Sequence, residues 1–374
     1  MEVLWILVLT FIVILCEINI YTKYCFKDLN FEINLSRNEV FEGDTLILSE
    51  TISNKKFLPI LWLEVQFLVS KNLKFDNSEA SSLDDKYYKK DIYSILPYEK
   101  LKRKIKLTAL KRGYYTINNA TLTVGDIFVI YKYLLHMDYS KDLFVYPKLL
   151  NGREFNLKFS NIIGELETKK YLLDDPFMLK GIRDYTPYDS LKTVNWLASA
   201  RTGDLKVNEF NSSSSREVIL LLDTQKYTSW DSEDKIEESI RIVASMSAKC
   251  IENNVPISIF SNAINELTQS PINVPIQSGK AQLNLIYRNL ACINLSNQKL
   301  DFLEMIKNLK LAKKDNSLCI VITHDYSKKL IDELLALKRN KLSINLILVK
   351  SESETVDLNP EIKTYIWEVN ALGR

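Results

Sequence analysis

The spacing of apolar residues changes twice along this chain, and each change restricts what the next stretch can form. Residues 3–16 read VLWILVLTFIVILC, with Thr10 the one polar side chain. From Asp28 onward apolar and polar residues alternate, as in LNFEINLS and NEVFEGDTLILSETISN. Beyond residue 216 short unbroken apolar runs such as EVILLLD alternate with stretches at helical spacing. Alternation by two gives strands with one buried face, whereas unbroken runs give strands covered on both. The expected order is a transmembrane helix (residues 1–27), an antiparallel β-sandwich (28–150), a connector (151–215) and a doubly wound α/β domain (216–374).

The first run is shorter than the roughly 20 residues that cross a bilayer. Continuing through Ile18, Ile20 and Tyr21 reaches that length and carries Glu17 and Asn19 to one interface, where such side chains reach outward. A cleaved signal peptide is the rival reading. It lacks its usual marks, since no Lys or Arg precedes the run and no small-residue cleavage site follows it. Lys23 and Lys27 come after the run, which by the positive-inside rule keeps the bulk of the chain in the cytoplasm.

Within the sandwich stretch, LPILWLEVQFLVS, TINNATLTV and DLFVYP continue the strand series. LKRKIKLT puts Lys102, Lys104 and Lys106 on one strand face. That face is either a solvated outer surface or one drawn to anionic lipid. In the α/β stretch EVILLLD, VPISIF, SLCIVIT, SINLILV and TYIWEV read as strands. Ile236, Ile240, Val243 and Ser247 mark one helix, and Leu283, Ile286, Tyr287 and Leu290 a second. Leu300, Leu303, Ile306 and Leu309 mark a third, and Leu330, Leu334 and Leu337 a fourth. Ser232, Glu233 and Asp234 suit the first turn of the first helix.

Composition removes several function classes. The chain is 46% hydrophobic and 26% charged, enough to build cores. Its 49 basic and 47 acidic residues leave no general attraction for nucleic acid. Five scattered cysteines without a CxxC pair, and two histidines, argue against a disulfide framework or a zinc site. No glycine-rich phosphate loop is present, and no cofactor is expected.

One segment is far more specific. Residues 181–210 read GIRDYTPYDSLKTVNWLASARTGDLKVNEF. This strongly resembles the signature of the bacterial family called domain of unknown function 58, roughly G-x-R-x-Y-x-P-G-D-x-x-R-x-I-x-W-x-x-S-A-R-x-G-x-L-x-V-x-x-F. Gly181, Arg183, Tyr185, Pro187, Asp189, Trp196, Ser199, Ala200, Arg201, Gly203, Leu205, Val207 and Phe210 match it. Tyr188 and Lys192 depart from it, standing where the family has Gly and Arg. RGYYTINNATLTVGDIFVIY (112–131) is similar to a second family segment that leads to an Asp-Pro-Phe-Gly turn, with Ile127 and Val129 in place of the Pro and Gly.

The resemblance implies a C-terminal domain like von Willebrand factor type A modules and a MoxR-type AAA+ ATPase as partner. Members often carry two N-terminal spans, whereas one is found here. The charged residues Arg183, Asp184, Asp189 and Arg201 could form a network around a buried Trp196. The segment then serves either as a structural junction or as a docking surface in which Trp, Tyr and Arg are anchors.

Type A modules often bind Mg²⁺ through an Asp-x-Ser-x-Ser loop with a later Thr and Asp. Here the loop reads Asp223-Thr224-Gln225-Lys226-Tyr227, so both serines are replaced. Asp223, Thr323 and Asp325 are the weak metal candidates that remain. Cys319, Thr323, His324 and Asp325 form the one grouping suggestive of catalysis, but Cys319 lies in an apolar run and reads as core. The sequence therefore points to a membrane-anchored, non-catalytic adaptor. The alternative is an extracytoplasmic adhesion-type module with a residual metal site, and a thiol- or His-dependent hydrolase stands outside both.

Overall fold

The computed structural model describes all residues except 1, 77–80, 84–85, 169–178, 187–188, 190, 211–216, 228–232, 297–299, 310–316, 340–341, 353 and 370–374. The chain divides into two units, Met1–Lys148 with Leu290–Ile293, and Leu149–Asn289 with Asn294–Arg374.

The first unit opens with helix α1 (Glu2–Tyr24). From Val3 to Tyr24 this helix is long and apolar enough to span a membrane. Ten strands follow. They are β1 (Leu29–Leu35), β2 (Glu39–Phe41), β3 (Thr45–Asn54), β4 (Ile60–Ser70), β5 (Leu73–Phe75), β6 (Ser81–Leu83), β7 (Lys86–Ile95), β8 (Lys100–Ala109), β9 (Gly113–Gly125) and β10 (Lys132–Tyr146). They form a four-stranded sheet, β1-β3-β8-β5, and a six-stranded sheet, β2-β10-β9-β4-β7-β6. Burial alternates along β1 and β3, as period-two patterning requires. Ile33, Leu48, Ile52 and Leu107 of one sheet share a core with Leu63, Val65, Leu122 and Val124 of the other. Lys102, Lys104 and Lys106 are exposed on β8, while Ile105 and Leu107 face inward.

A charged group also lies inside this sandwich. Glu50 on β3 and Lys89 on β7 are both buried and paired at 3.4 Å, and Tyr93 donates to Glu50 while Lys89 also pairs with Asp91. Arg103, on the inward parity of the lysine-rich strand, completes the group at 2.7 Å from Asp91. Burial and Glu50 together raise the Tyr93 hydroxyl well above its ordinary value.

The second unit begins with α2 (Arg153–Thr168). Its Phe155 ring meets Trp367 edge-on at 6.1 Å, and the Lys158 ammonium lies 4.8 Å from the Trp367 ring centre. A hairpin of β11 (Leu179–Asp184) and β12 (Lys206–Phe210) encloses α3 (Trp196–Thr202). Then come β13 (Glu217–Leu222), α4 (Glu233–Glu252), β14 (Ile257–Ile264), β15 (Pro271–Gln277), α5 (Lys280–Ala291), α6 (Phe302–Asn308), β16 (Ser317–Thr323), α7 (Lys328–Arg339), β17 (Ser343–Ser351) and β18 (Lys363–Val369).

These last strands form one sheet, β15-β14-β13-β16-β17-β18. All neighbours are parallel except β14 and β15. Ile219, Leu221, Cys319, Val321 and Leu346 pack with Phe302 and Ile306 of α6 and Leu330 and Leu334 of α7. Residues of opposite parity face the other side, where α4 contacts five strands. Helices thus cover both faces. The four helical stripes read from the sequence correspond to α4 to α7, with one adjustment: α6 is short, and Leu300 and Leu309 lie outside it. Strand β15 was not foreseen. Its Pro271 and Pro275 argue against a strand, but β15 is an edge, where a missing N–H costs little. Ser232 lies outside the described residues.

Candidate functional site

The signature segment folds into a compact hairpin whose parts explain one another. Asn195 caps α3, its side-chain oxygen accepting from Ala198 N–H at 2.9 Å. Gly203 ends the helix at φ 83°, a left-handed conformation that favours glycine, and donates back to the Ser199 carbonyl at 2.9 Å. The Ser199 hydroxyl accepts from Lys206 N–H and donates to the Asn195 carbonyl, both at 2.8 Å, stitching helix to strand. Val194 and Val207 are buried and bridged beneath it. Asn195 was not among the residues singled out from the sequence. The signal was present, as an Asn directly before a run of helix formers.

Arg183 grips Asp189 with both arms of its guanidinium, at 2.5 and 2.7 Å. Thr186 adds its N–H and hydroxyl to the same carboxylate, each at 2.8 Å. The Arg183 contact, then the Thr186 donors, hold the Asp189 carboxyl well below the usual carboxylate range. Asp184 pairs with Lys206 instead of joining this pair. The expected single network around Trp196 is therefore corrected. Arg201 is exposed in the last turn of α3, and Asp189 takes its partners from Arg183 and Thr186.

Trp196 is not buried. It is the first residue of α3 and is 67% exposed, with Leu197 at 70% and Leu191 at 65%. Ile182 of β11 and Leu205, next to β12, are exposed as well. The reason is geometric, because Ser199 turns toward β12 to bond Lys206 and leaves Trp196 and Leu197 exposed. Gly181 lies in β11, where adding a Cβ would meet nothing, and the Tyr185 N–H bonds the Leu205 carbonyl at 3.0 Å. Ala200 is exposed. Phe210 pairs its backbone with Leu179. Pro187 and Tyr188, and the side chain of Phe210, lie outside the described residues.

The second constellation gathers at the carboxyl ends of β13 and β16, the place where ligands enter open α/β sheets. Asp223 is fully buried. One carboxylate oxygen accepts from the Thr323 hydroxyl at 2.7 Å and the Tyr227 hydroxyl at 2.8 Å. The other accepts from Gln225 N–H at 2.9 Å and from the Asn262 amide at 3.3 Å. Burial pushes the Asp223 carboxyl up, against the charge of His324 and these donors. Asp325 is held in its own turn by the Ser327 N–H and hydroxyl. The Tyr227 ring also leans on His324, with centres 5.6 Å apart.

Mg²⁺ needs open oxygen ligands in octahedral array. At Asp223 each carboxylate oxygen already accepts two donors, so the residues present do not fit that ion. Among the described residues no group of three His, Cys, Asp or Glu side chains could hold a metal. Cys319 is fully buried within β16, and burial lifts its thiol to about 12, so it is no nucleophile at neutral pH.

Residues 181–356 match the family model described as "Protein of unknown function DUF58". The chain carries a DUF58 segment. That segment opens on Gly181 at the hairpin and runs through β17, so it takes in both constellations. The chain is also similar to "Uncharacterized protein YeaD" of Bacillus subtilis (strain 168), 21% identical over 297 residues, covering 77% of this chain and 68% of that protein. Among solved structures it is similar to the CARDB domain of a Pyrococcus furiosus protein, 18% identical, covering 32% of this chain and 92% of that one, with a TM-score of 0.21. It is likewise similar to a cohesin module from a Clostridium perfringens family 33 glycoside hydrolase, 12% identical, covering 32% and 95%, with a TM-score of 0.22.

Proposed function

We propose that this chain is a membrane-anchored, non-catalytic adaptor that docks a protein partner on its DUF58 hairpin, the partner being a MoxR-type AAA+ ATPase. The exposure of Trp196 carries the reading. An aromatic side chain held outward on a helix capped at both ends, with Leu197 beside it and Arg201 one turn further on, is the residue mix of a binding hot spot. A junction residue would be covered within its own fold.

Three observations support the rest. The sheet order β15-β14-β13-β16-β17-β18, with one antiparallel edge and helices on both faces, suits a von Willebrand factor type A-like domain. The saturated Asp223 carboxylate favours an adaptor over a metal-dependent adhesion module. Helix α1 is tied into the sandwich, since Tyr21 is buried in its core and donates to the Pro59 carbonyl at 2.7 Å. Cleavage beyond Tyr21 would strip out that core residue, which favours retention of the helix as an anchor. Lys23 and Lys27 at its end favour a cytoplasmic bulk.

The test is capture of the purified ATPase by the full chain in detergent, comparing wild type with Trp196→Ala and Leu197→Ala. Loss of capture with at most a small drop in melting temperature supports the adaptor. Undiminished capture by both variants refutes the docking face.

A further inference from the structure

The first unit has a polarised surface that the adaptor reading does not use. Antiparallel pairing brings Leu29, Asn54 and Lys100 to one end of the four-stranded sheet, and Ile60, Ile95, Gly125 and Lys132 to one end of the six-stranded sheet. The turns 55–59 and 96–99 link the two sheets at that end, and α1 enters there through Leu29. Large apolar side chains stand exposed on these turns, Phe57 (80%), Leu96 and Tyr98 (70%), and along the whole stretch Ile127–Tyr131 between β9 and β10. Among the described residues of the turns at the opposite end, Leu110 is the large hydrophobic residue with comparable exposure. Isolated exposed apolar residues are ordinary, but a cluster at one end is not.

The stretch 127–131 is also built for a solvent without water. Asp126 is fully buried at its neck, and its two carboxylate oxygens accept from Ile130 N–H at 2.7 Å and Tyr131 N–H at 3.1 Å. Its carbonyl accepts from Val129 N–H at 3.1 Å. Ile127 N–H donates to Glu17 of α1 at 2.8 Å. Four backbone donors of this five-residue apolar loop, those of Ile127, Val129, Ile130 and Tyr131, are thus satisfied internally, which hydrocarbon demands and water does not.

Glu17 also fixes the depth. The apolar run 3–16 covers about 21 Å at about 1.5 Å per residue. The hydrocarbon core is roughly 30 Å thick, so residues 17–21 must complete the crossing. A loop bonded to Glu17 then lies about 6 Å inside the edge of the hydrocarbon, four residues short of Tyr21. Lys23, Lys27, Lys55, Lys100 and Lys132 are exposed at this end against Asp28 and Glu99, a balance suited to anionic headgroups.

We infer that this end of the sandwich is seated on the same bilayer that α1 crosses, with Ile127–Tyr131 and Phe57 dipping into the acyl boundary as a second, monotopic contact. The inference rests on the anchor reading. The seat fixes the tilt of the sandwich against the membrane, where a single helix would leave it free to swing.

The test uses the full chain with Cys16→Ser, reconstituted in phosphatidylcholine vesicles containing phosphatidylglycerol. Single nitroxide labels go on Phe57→Cys, Phe128→Cys and Leu110→Cys, the four remaining cysteines being buried. Collision with oxygen, which partitions into lipid, is compared with collision with a water-soluble nickel chelate. The expected ratio exceeds one at positions 57 and 128 and falls below one at 110. Labels at 57 and 128 as open to nickel as 110, in a chain that resists carbonate extraction, overturn the seat and leave the anchor standing. Shielding from both colliders means a second copy covers the face, and also overturns it. Release of the chain by carbonate overturns the anchor and the seat together.

Discussion

Trp196→Ala separates the two roles open to the signature because exposure sets the size of its effect. A buried Trp truncated to Ala costs about 3–5 kcal/mol. Here two thirds of the residue is exposed. A Trp buries at most about 250 Å², so the covered third is ~80 Å², or ~2 kcal/mol at ~25 cal/mol per Å². Part of that area is already covered in the unfolded chain, and Ala at the start of α3 regains ~0.5 kcal/mol of helix propensity. The net cost is about 1 kcal/mol. Val207→Ala is the structural control: Val207 is 1% exposed beneath the hairpin, and removing its two methyl groups costs ~2 kcal/mol with the cavity included. Urea unfolding of both variants, alongside ATPase capture, gives the comparison. The expected pattern is a small stability loss with lost capture for Trp196→Ala, and the reverse for Val207→Ala. A loss of 3 kcal/mol or more at Trp196 would mean that the ring is a structural element, and the docking argument would fall.

Four further outcomes are expected. Glu50→Ala leaves Lys89 buried with only Asp91 beside it, so urea unfolding should show a loss of about 3–5 kcal/mol that Glu50→Leu with Lys89→Met largely restores. Val129 sits at φ 56°, where a β-branched side chain is strained, so Val129→Gly should raise sandwich stability by about 1 kcal/mol, read from the urea midpoint. The Asp189 carboxyl is held below its unfolded value, so its contribution to the hairpin is complete above that value and is lost as pH falls through the folded one. A carbon-detected titration should show it still ionised where exposed carboxylates have protonated. Burial lifts the Cys250 and Cys319 thiols to about 12, and alkylation at neutral pH should reach them only when urea unfolds the second unit.

Periodicity was legible wherever burial follows it. The alternating strands β1 and β3, the continuous runs of β13 and β16 and the stripes of α4 and α7 all came directly from the apolar pattern. What stayed hidden was set by contacts between distant residues. Whether Trp196 is covered depends on which face of α3 turns toward β12, and Ser199 decides that by bonding Lys206 seven positions later. The partner of Asp189 was open among several arginines until the hairpin brought Arg183 to it. The charged group inside the sandwich was invisible because Glu50, Lys89 and Asp91, though each shares the parity of buried neighbours, meet only when the two sheets face one another.

Two loops are informative together. At the Asp126 turn, Ile127 and Val129 stand where the segment this stretch resembles has Pro and Gly, and Val129 accepts a strained φ of 56°. Strain of that kind persists when something else requires the side chain. In water a β-branched residue there loses stability and gains nothing, whereas at a bilayer boundary it adds buried apolar area to a loop in which Asp126 and Glu17 already take four N–H groups. At the Asp223 loop the side chains act in the other direction: the Gln225 N–H and the Tyr227 hydroxyl help to saturate the buried carboxylate. The first loop opens an apolar surface beside the helix, and the second closes off a charge in the α/β sheet. The proposed adaptor function draws on the first surface and needs no ion at the second.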